Sequence, residues 1–114
     1  MTKAFLDLGY NVVANALNFA GSALAPNGNS PLVEGNIGQA STAGRVTESA
    51  ISRFGSVDDV VANAGIFFTK PFTDYTPDDF RRLSETNLEG YVYLTQLAVK
   101  RMLAQKTGGS VTFV

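Results

Sequence analysis

The sequence predicts an α/β domain in which a parallel β-sheet is covered by helices on both faces. Two observations predict it. Short apolar stretches of strand length alternate along the chain with longer stretches whose apolar residues recur at helical spacing. One of the strand-like stretches also runs straight into Asn63-Ala64-Gly65, a tight loop at what would be the carboxyl end of a buried strand.

Each element has a local reason. Thr2 to Leu8 reads as the end of a helix, with Ala4, Phe5 and Leu8 on one face and Gly9 placed as its stop. A chain that opens inside an element is expected to belong to a longer fold. Asn11 to Leu17 reads as a strand centred on Val12-Val13-Ala14, and Asn18 to Ser30, rich in Asn, Ser, Gly and Pro, as mostly loop. Pro31 to Glu34 is a second strand, followed by the turn Gly35-Asn36-Ile37-Gly38. Ala40 to Phe54 is amphipathic, with Ala43, Val46, Ala50, Ile51 and Phe54 along one side and Gly55 as terminator.

Val57 to Ala62 is the third strand. Thr76-Pro77-Asp78-Asp79 is a helix start: Thr76 can cap, Pro77 suits the first helical position, and the carboxylates sit at the positive end of the helix dipole. That helix is expected to reach Ser84. A longer one is expected from Glu85 to Gln105, with Leu88, Val92, Thr95, Val99 and Met102 at helical spacing. Gly108-Gly109 breaks it, and Ser110 to Val114 is the fourth strand.

Composition excludes several functions. The 114 residues carry a net charge of −1 without a basic block, so nucleic acid finds no electrostatic foothold. Neither cysteine nor histidine occurs, which removes thiolate and imidazole metal sites, cysteine nucleophiles and Ser-His-Asp triads. Hydrophobic residues make up 45% and charged residues 17%, a globular balance. No apolar run approaches the roughly 18–20 residues that span a membrane, so no membrane partner is expected. The absence of cysteine fits a reducing compartment, and a cytoplasmic location is expected.

Ligands of open parallel sheets bind beyond the carboxyl ends of the strands. Here those ends are Ala16-Leu17, Gly35-Asn36-Ile37 and Asn63-Ala64-Gly65. The last admits two readings, a plain Asn-Gly turn or a site where glycine lets backbone approach a ligand. The stretch from Val57 to Gly65 resembles the segment of short-chain dehydrogenases/reductases that ends in Asn-Asn-Ala-Gly, with Ala62 replacing the first Asn. Downstream residues agree in order and spacing: Phe72, Thr76, Asp79-Phe80, Thr86-Asn87-Leu88-Glu89-Gly90, Leu94-Thr95-Gln96, Met102 and Gly108-Gly109-Ser110. The similarity covers the whole chain.

The resemblance implies a Rossmann-like, doubly wound parallel sheet of which residues 1–114 form a partial NAD(P)-binding domain, family strands 2 to 5 with their helices. Family order places a Gly-rich pyrophosphate turn before Thr2 and the catalytic Ser and Tyr-x-x-x-Lys after Val114, so an internal fragment is expected. The missing first strand would leave the sheet as two pairs with exposed inner edges. Tyr10, Tyr75, Tyr91 and Tyr93 each lack a Lys four residues on.

By the same resemblance Asn87 is the helix asparagine that positions a water in the proton relay; without the resemblance the favoured reading is a satisfied polar residue near a helix start. Asn63, Ala64 and Gly65 match the segment that passes the cofactor's adenosine half. Asn36 and Ile37 match the position where an acid meets the adenine amine, or else form a simple turn. Leu17 lies where an acid or arginine would choose between NAD and NADP, so the cofactor is one or the other. Asn15 and Asn18 read either as ribose partners or as loop residues. The implied substrate is a small-molecule carbonyl or alcohol. The Glu85 to Gln105 helix is a candidate homo-oligomer face, or packs on its own sheet. The alternative to an oxidoreductase is a non-catalytic remnant or a helix-mediated interaction module. No dehydrogenase activity is expected of these residues alone.

Overall fold

In the computed structural model, which describes residues 1–114, the first element is α1 (Thr2–Asp7). Gly9 takes φ +90°, a conformation that glycine adopts without strain. Its N–H donates to Leu6 O, and the Tyr10 N–H donates to Phe5 O, both at 3.0 Å. These are the paired bonds of a left-handed helix cap, and the Phe5 and Tyr10 rings close it edge-on at 5.4 Å.

Strands β1 (Ala14–Ala16) and β2 (Leu32–Glu34) pair in parallel, Ala14 opposite Leu32 and Ala16 opposite Glu34. The expected strand was centred earlier, on Val12-Val13-Ala14. The ladder starts later because the residue facing Val13 in this register is Pro31, which has no N–H to donate. Helix α2 (Ala40–Phe54) has the predicted bounds and ends at Gly55, φ +79°. It buries Thr42, Ala43, Val46 and Thr47, and the Thr47 hydroxyl donates to Ala43 O at 3.0 Å.

β3 (Asp59–Ala62) pairs in parallel with β4 (Ser110–Phe113), Asp59 opposite Ser110 and Ala62 opposite Phe113. Between them lie a short 3-10 turn (Phe72–Asp74), α3 (Pro77–Ser84), a π-helical turn (Glu85–Glu89) and α4 (Gly90–Gln105). The sequence predicts one regular helix from Glu85. Instead its first turn is wide, with the Gly90 N–H reaching back five residues to Glu85 O. Lys106, φ +57°, and Gly108, φ +75°, end α4 in left-handed backbone.

The strands form two separate pairs, β1-β2 and β3-β4, as the partial doubly wound sheet predicts. One apolar cluster, Val57, Val60, Ala98 and Met102, packs α4 on β3; another, Ile37, Ala43 and Val46, packs α2 near β2. Leu94 of α4 touches both clusters. Between the pairs runs a cleft of about 310 Å³, lined by Val12 to Asn15 on one side and Asp59 to Ala64 on the other. The radius of gyration is 15.2 Å, against roughly 13 Å for a compact chain of this length. No helix is long and apolar enough to cross a membrane.

Candidate functional site

The three strand ends and the π turn meet at one end of the molecule. At the end of β1, Leu17 is exposed. Asn15 is inside the strand, and its Nδ2 donates to Val33 O at 2.8 Å and Gly35 O at 3.2 Å, stitching β1 to β2. Asn18 Oδ1 accepts from the Ala20 N–H at 3.2 Å, a local turn bond. Of the two readings, both asparagines therefore have structural work inside the chain.

At the end of β2, Gly35 has φ +147°, and a Cβ there would lie 2.6 Å from Arg45 Nη2 and 2.8 Å from Thr42 Oγ1. Arg45 Nη2 donates to Glu34 O at 2.8 Å, which fixes the strand end against α2. The next residue, Asn36, uses both ends of its amide. Its Oδ1 accepts from the Gly38 N–H and its Nδ2 donates to Glu85 Oε1, each at 2.9 Å. A second lone pair remains on Oδ1. Ile37 points inward and is buried.

Beyond β3, Asn63, Ala64 and Gly65 are exposed, the first two at the mouth of the cleft. Asn87 reaches this loop from the π turn. Its Oδ1 accepts from the Ile66 N–H at 2.8 Å and its Nδ2 donates to Ile66 O at 3.0 Å. Both polar groups of one residue are gripped by both polar ends of one side chain. Gly65 leaves room for the approach, since a Cβ there would sit 3.1 Å from Asn87 Oδ1, tighter than ordinary contact.

The chain then runs through a strap tied to the start of α3. Lys70 Nζ lies 2.6 Å from Asp79 Oδ2, and that oxygen also accepts from the Thr76 N–H at 3.0 Å. Thr76 Oγ1 accepts from the Asp79 N–H at 3.2 Å, completing a capping box. The lysine hydrogen bond, then the Thr76 backbone, lower the Asp79 carboxyl to about 2. Tyr75 OH donates to Phe68 O at 2.9 Å, and Lys70 Nζ sits 5.6 Å from the Phe68 ring centre. The Tyr93 hydroxyl donates to Glu89 Oε2 at 2.9 Å, and that carboxylate raises its pKa.

Sequence reasoning missed Glu85 and Lys70 as members of this assembly. The Lys70 partner, Asp79, was legible as a helix-start acid and as part of the family pattern, but not as a lysine partner. Glu85 lies 49 residues from Asn36, and no local pattern joins them.

The sequence profile of the family described as short chain dehydrogenase matches residues 1–114. The chain belongs to that family. It is 32% identical to the L-rhamnose-1-dehydrogenase of Scheffersomyces stipitis over 79 residues, 69% of this chain and 31% of the relative. To the L-rhamnose 1-dehydrogenase (NAD(P)(+)) of Sphingomonas sp. it is 35% identical over 82 residues, 72% of this chain and 32% of the relative. Among solved structures, the short-chain dehydrogenase/reductase of Brucella melitensis, of the glucose/ribitol dehydrogenase type, superposes with a TM-score of 0.78 at 29% identity. That superposition covers 88% of this chain and 43% of the other. This short-chain dehydrogenase chain thus spans about a third of the length of the curated relatives it matches.

Proposed function

We propose that this chain is the adenosine-side portion of an NAD(P)-dependent oxidoreductase that moves hydride between a nicotinamide and a carbonyl or alcohol carbon. The observation that carries the reading is the Asn87 clamp on Ile66, directly after Asn63-Ala64-Gly65. In this reading the exposed backbone of Asn63, Ala64 and Gly65 forms one wall of the adenosine site. Asn36 and Ile37 form the adenine side, and Leu17 borders the ribose. Asn87, held in a fixed orientation, orders the water of the proton relay. The nicotinamide, when bound, supplies the redox chemistry; these residues bind and orient. The cofactor is NAD or NADP, and the substrate is a small carbonyl or alcohol compound in the cytoplasm.

Addition of AMP to ¹⁵N-labelled protein tests the reading, because AMP carries the adenosine half alone. Chemical-shift changes are expected to cluster at Asn36, Ile37 and Asn63 to Gly65. Saturating AMP that shifts none of these resonances would sink it. No turnover of NADH or NADPH is expected from these 114 residues by themselves.

A second reading has its own observation. Leu88, Val92 and Leu103 are exposed along the π turn and α4, with Leu103 at 73%. These residues suit self-association or a helical partner. Sedimentation of the Leu103→Glu variant beside the parent separates this reading from a monomeric one.

A further inference from the structure

We propose that Asn36 and Glu85 form a positioning pair: their hydrogen bond sets the π turn, and through it the grip of Asn87 on Ile66. The π turn is closed by the bond between Glu85 O and the Gly90 N–H. Both residues at its ends press on the turn that follows β2. A Cβ on Gly38 would lie 2.5 Å from Glu85 Cγ and 2.7 Å from Glu85 O. A Cβ on Gly90 would lie 2.7 Å from Ile37 Cγ2. So residues 36–38 dock between the two ends of the wide turn, with a glycine on each side of the contact.

Asn36 is the polar fastener of this joint. Its Oδ1 holds the Gly38 N–H at 2.9 Å, which shapes the turn, and its Nδ2 donates to Glu85 Oε1 at 2.9 Å. A hydrogen bond to a carboxylate is stronger than one between neutral groups. Asparagine suits the position because it offers an acceptor and a donor on one short fork; aspartate offers only acceptors. Two residues beyond Glu85, Asn87 clamps Ile66. The turn after β2 is thereby joined to the loop after β3 through one helical turn. The coupling stands on these contacts alone, whereas its bearing on a proton relay rests on the function proposed above.

Amide hydrogen exchange at Ile66, measured without nucleotide, tests the coupling, with the amide of Ala98, fully buried in α4, as a reporter of global stability. In Asn36→Asp the cap on Gly38 survives and the donor to Glu85 is lost. Ile66 exchange is expected to rise about five- to tenfold, the scale of one net hydrogen bond, with Ala98 unchanged. Adding Glu85→Gln supplies a donor from the other side and is expected to restore the parent rate. Should Asn36→Asp fail to fold, Glu85→Ala and Glu85→Gln carry the test, since only glutamine keeps the acceptor. Faster Ile66 exchange in the alanine variant alone supports the pair. Unchanged Ile66 exchange in Asn36→Asp, no rescue by Glu85→Gln, or equal rates in the two Glu85 variants would overturn it. A failure of AMP binding would instead strike the proposed function and leave these rates as they are.

Discussion

Asparagine inside a helix costs roughly half a kcal/mol against alanine in intrinsic propensity, yet Asn87 replaces nothing by doing so: it completes both polar groups of Ile66. Two such bonds contribute roughly 0.5–1.5 kcal/mol each, so the bonds outweigh the propensity. Asn87→Ala is expected to lower stability by about 0.5–2.5 kcal/mol, the two lost bonds less the propensity gain, read from the urea midpoint; a midpoint raised by the propensity gain would show that the clamp contributes nothing. Asp79 makes a pH prediction. Its carboxyl is lowered from 3.8 to about 2 in the folded chain, so its contribution is complete above pH 3.8 and is lost as pH falls through about 2. The stability gap between the parent and Asp79→Asn should therefore be full at pH 7 and closed below pH 2. A gap that persists at the acid end would assign the effect to packing rather than to the Lys70 pair. Asn87 was legible from the sequence because its neighbours resemble a family pattern. Asn36 was legible as a position only, since its partner Glu85 comes from a distant helix.

Helical glycines ordinarily weaken a helix by about 0.5–1 kcal/mol against alanine, and two of them here should respond in opposite directions. Gly44 lies in α2 with nothing within 4 Å of a built Cβ, so Gly44→Ala is expected to stabilise by roughly that amount. Gly90 opens α4, and its Cβ would lie 2.7 Å from Ile37 Cγ2 and 3.2 Å from the Ile37 carbonyl. Part of that obstacle is backbone, so Gly90→Ala is expected to destabilise despite the better helix former. Thermal unfolding of the two variants side by side checks the signs; a gain at both positions would refute the close packing at Gly90. The same contact explains which elements the sequence revealed. Helices α2 and α3 carry their own signals, Gly55 as a stop and Thr76 with Asp79 as a capping box. The π turn carries none, because it is made by the docking of residues 36–38 against Glu85 and Gly90. Likewise β1 lies within the expected Asn11 to Leu17 but is centred later than its valines, because Pro31 on the partner strand has no N–H to donate.

The molecule as a whole is held by helices on its faces rather than by a continuous sheet. Val12 and Ala14 donate to Asn29 O and Pro31 O, while Ala16 O accepts from the Gly35 N–H. In a parallel ladder alternate residues bond to opposite sides, so Val13 and Asn15 turn their N–H groups towards the cleft. On the other wall Asp58 O and Ala62 O accept from Ser110 and Val114, which leaves Asp59 and Val61 facing inward. Two edges thus confront each other across about 310 Å³ without bonding to one another. Open edges of this kind recruit further strands, and a net charge of −1 supplies little repulsion against it. Amide exchange is expected to be fast at Val13, Asn15, Asp59 and Val61 and slow at Ala14, Val60 and Ala62. With rising protein concentration the first set should become protected as chains associate through these edges. Early protection of all seven amides in dilute solution would mean that the cleft is closed and the two pairs act as one sheet.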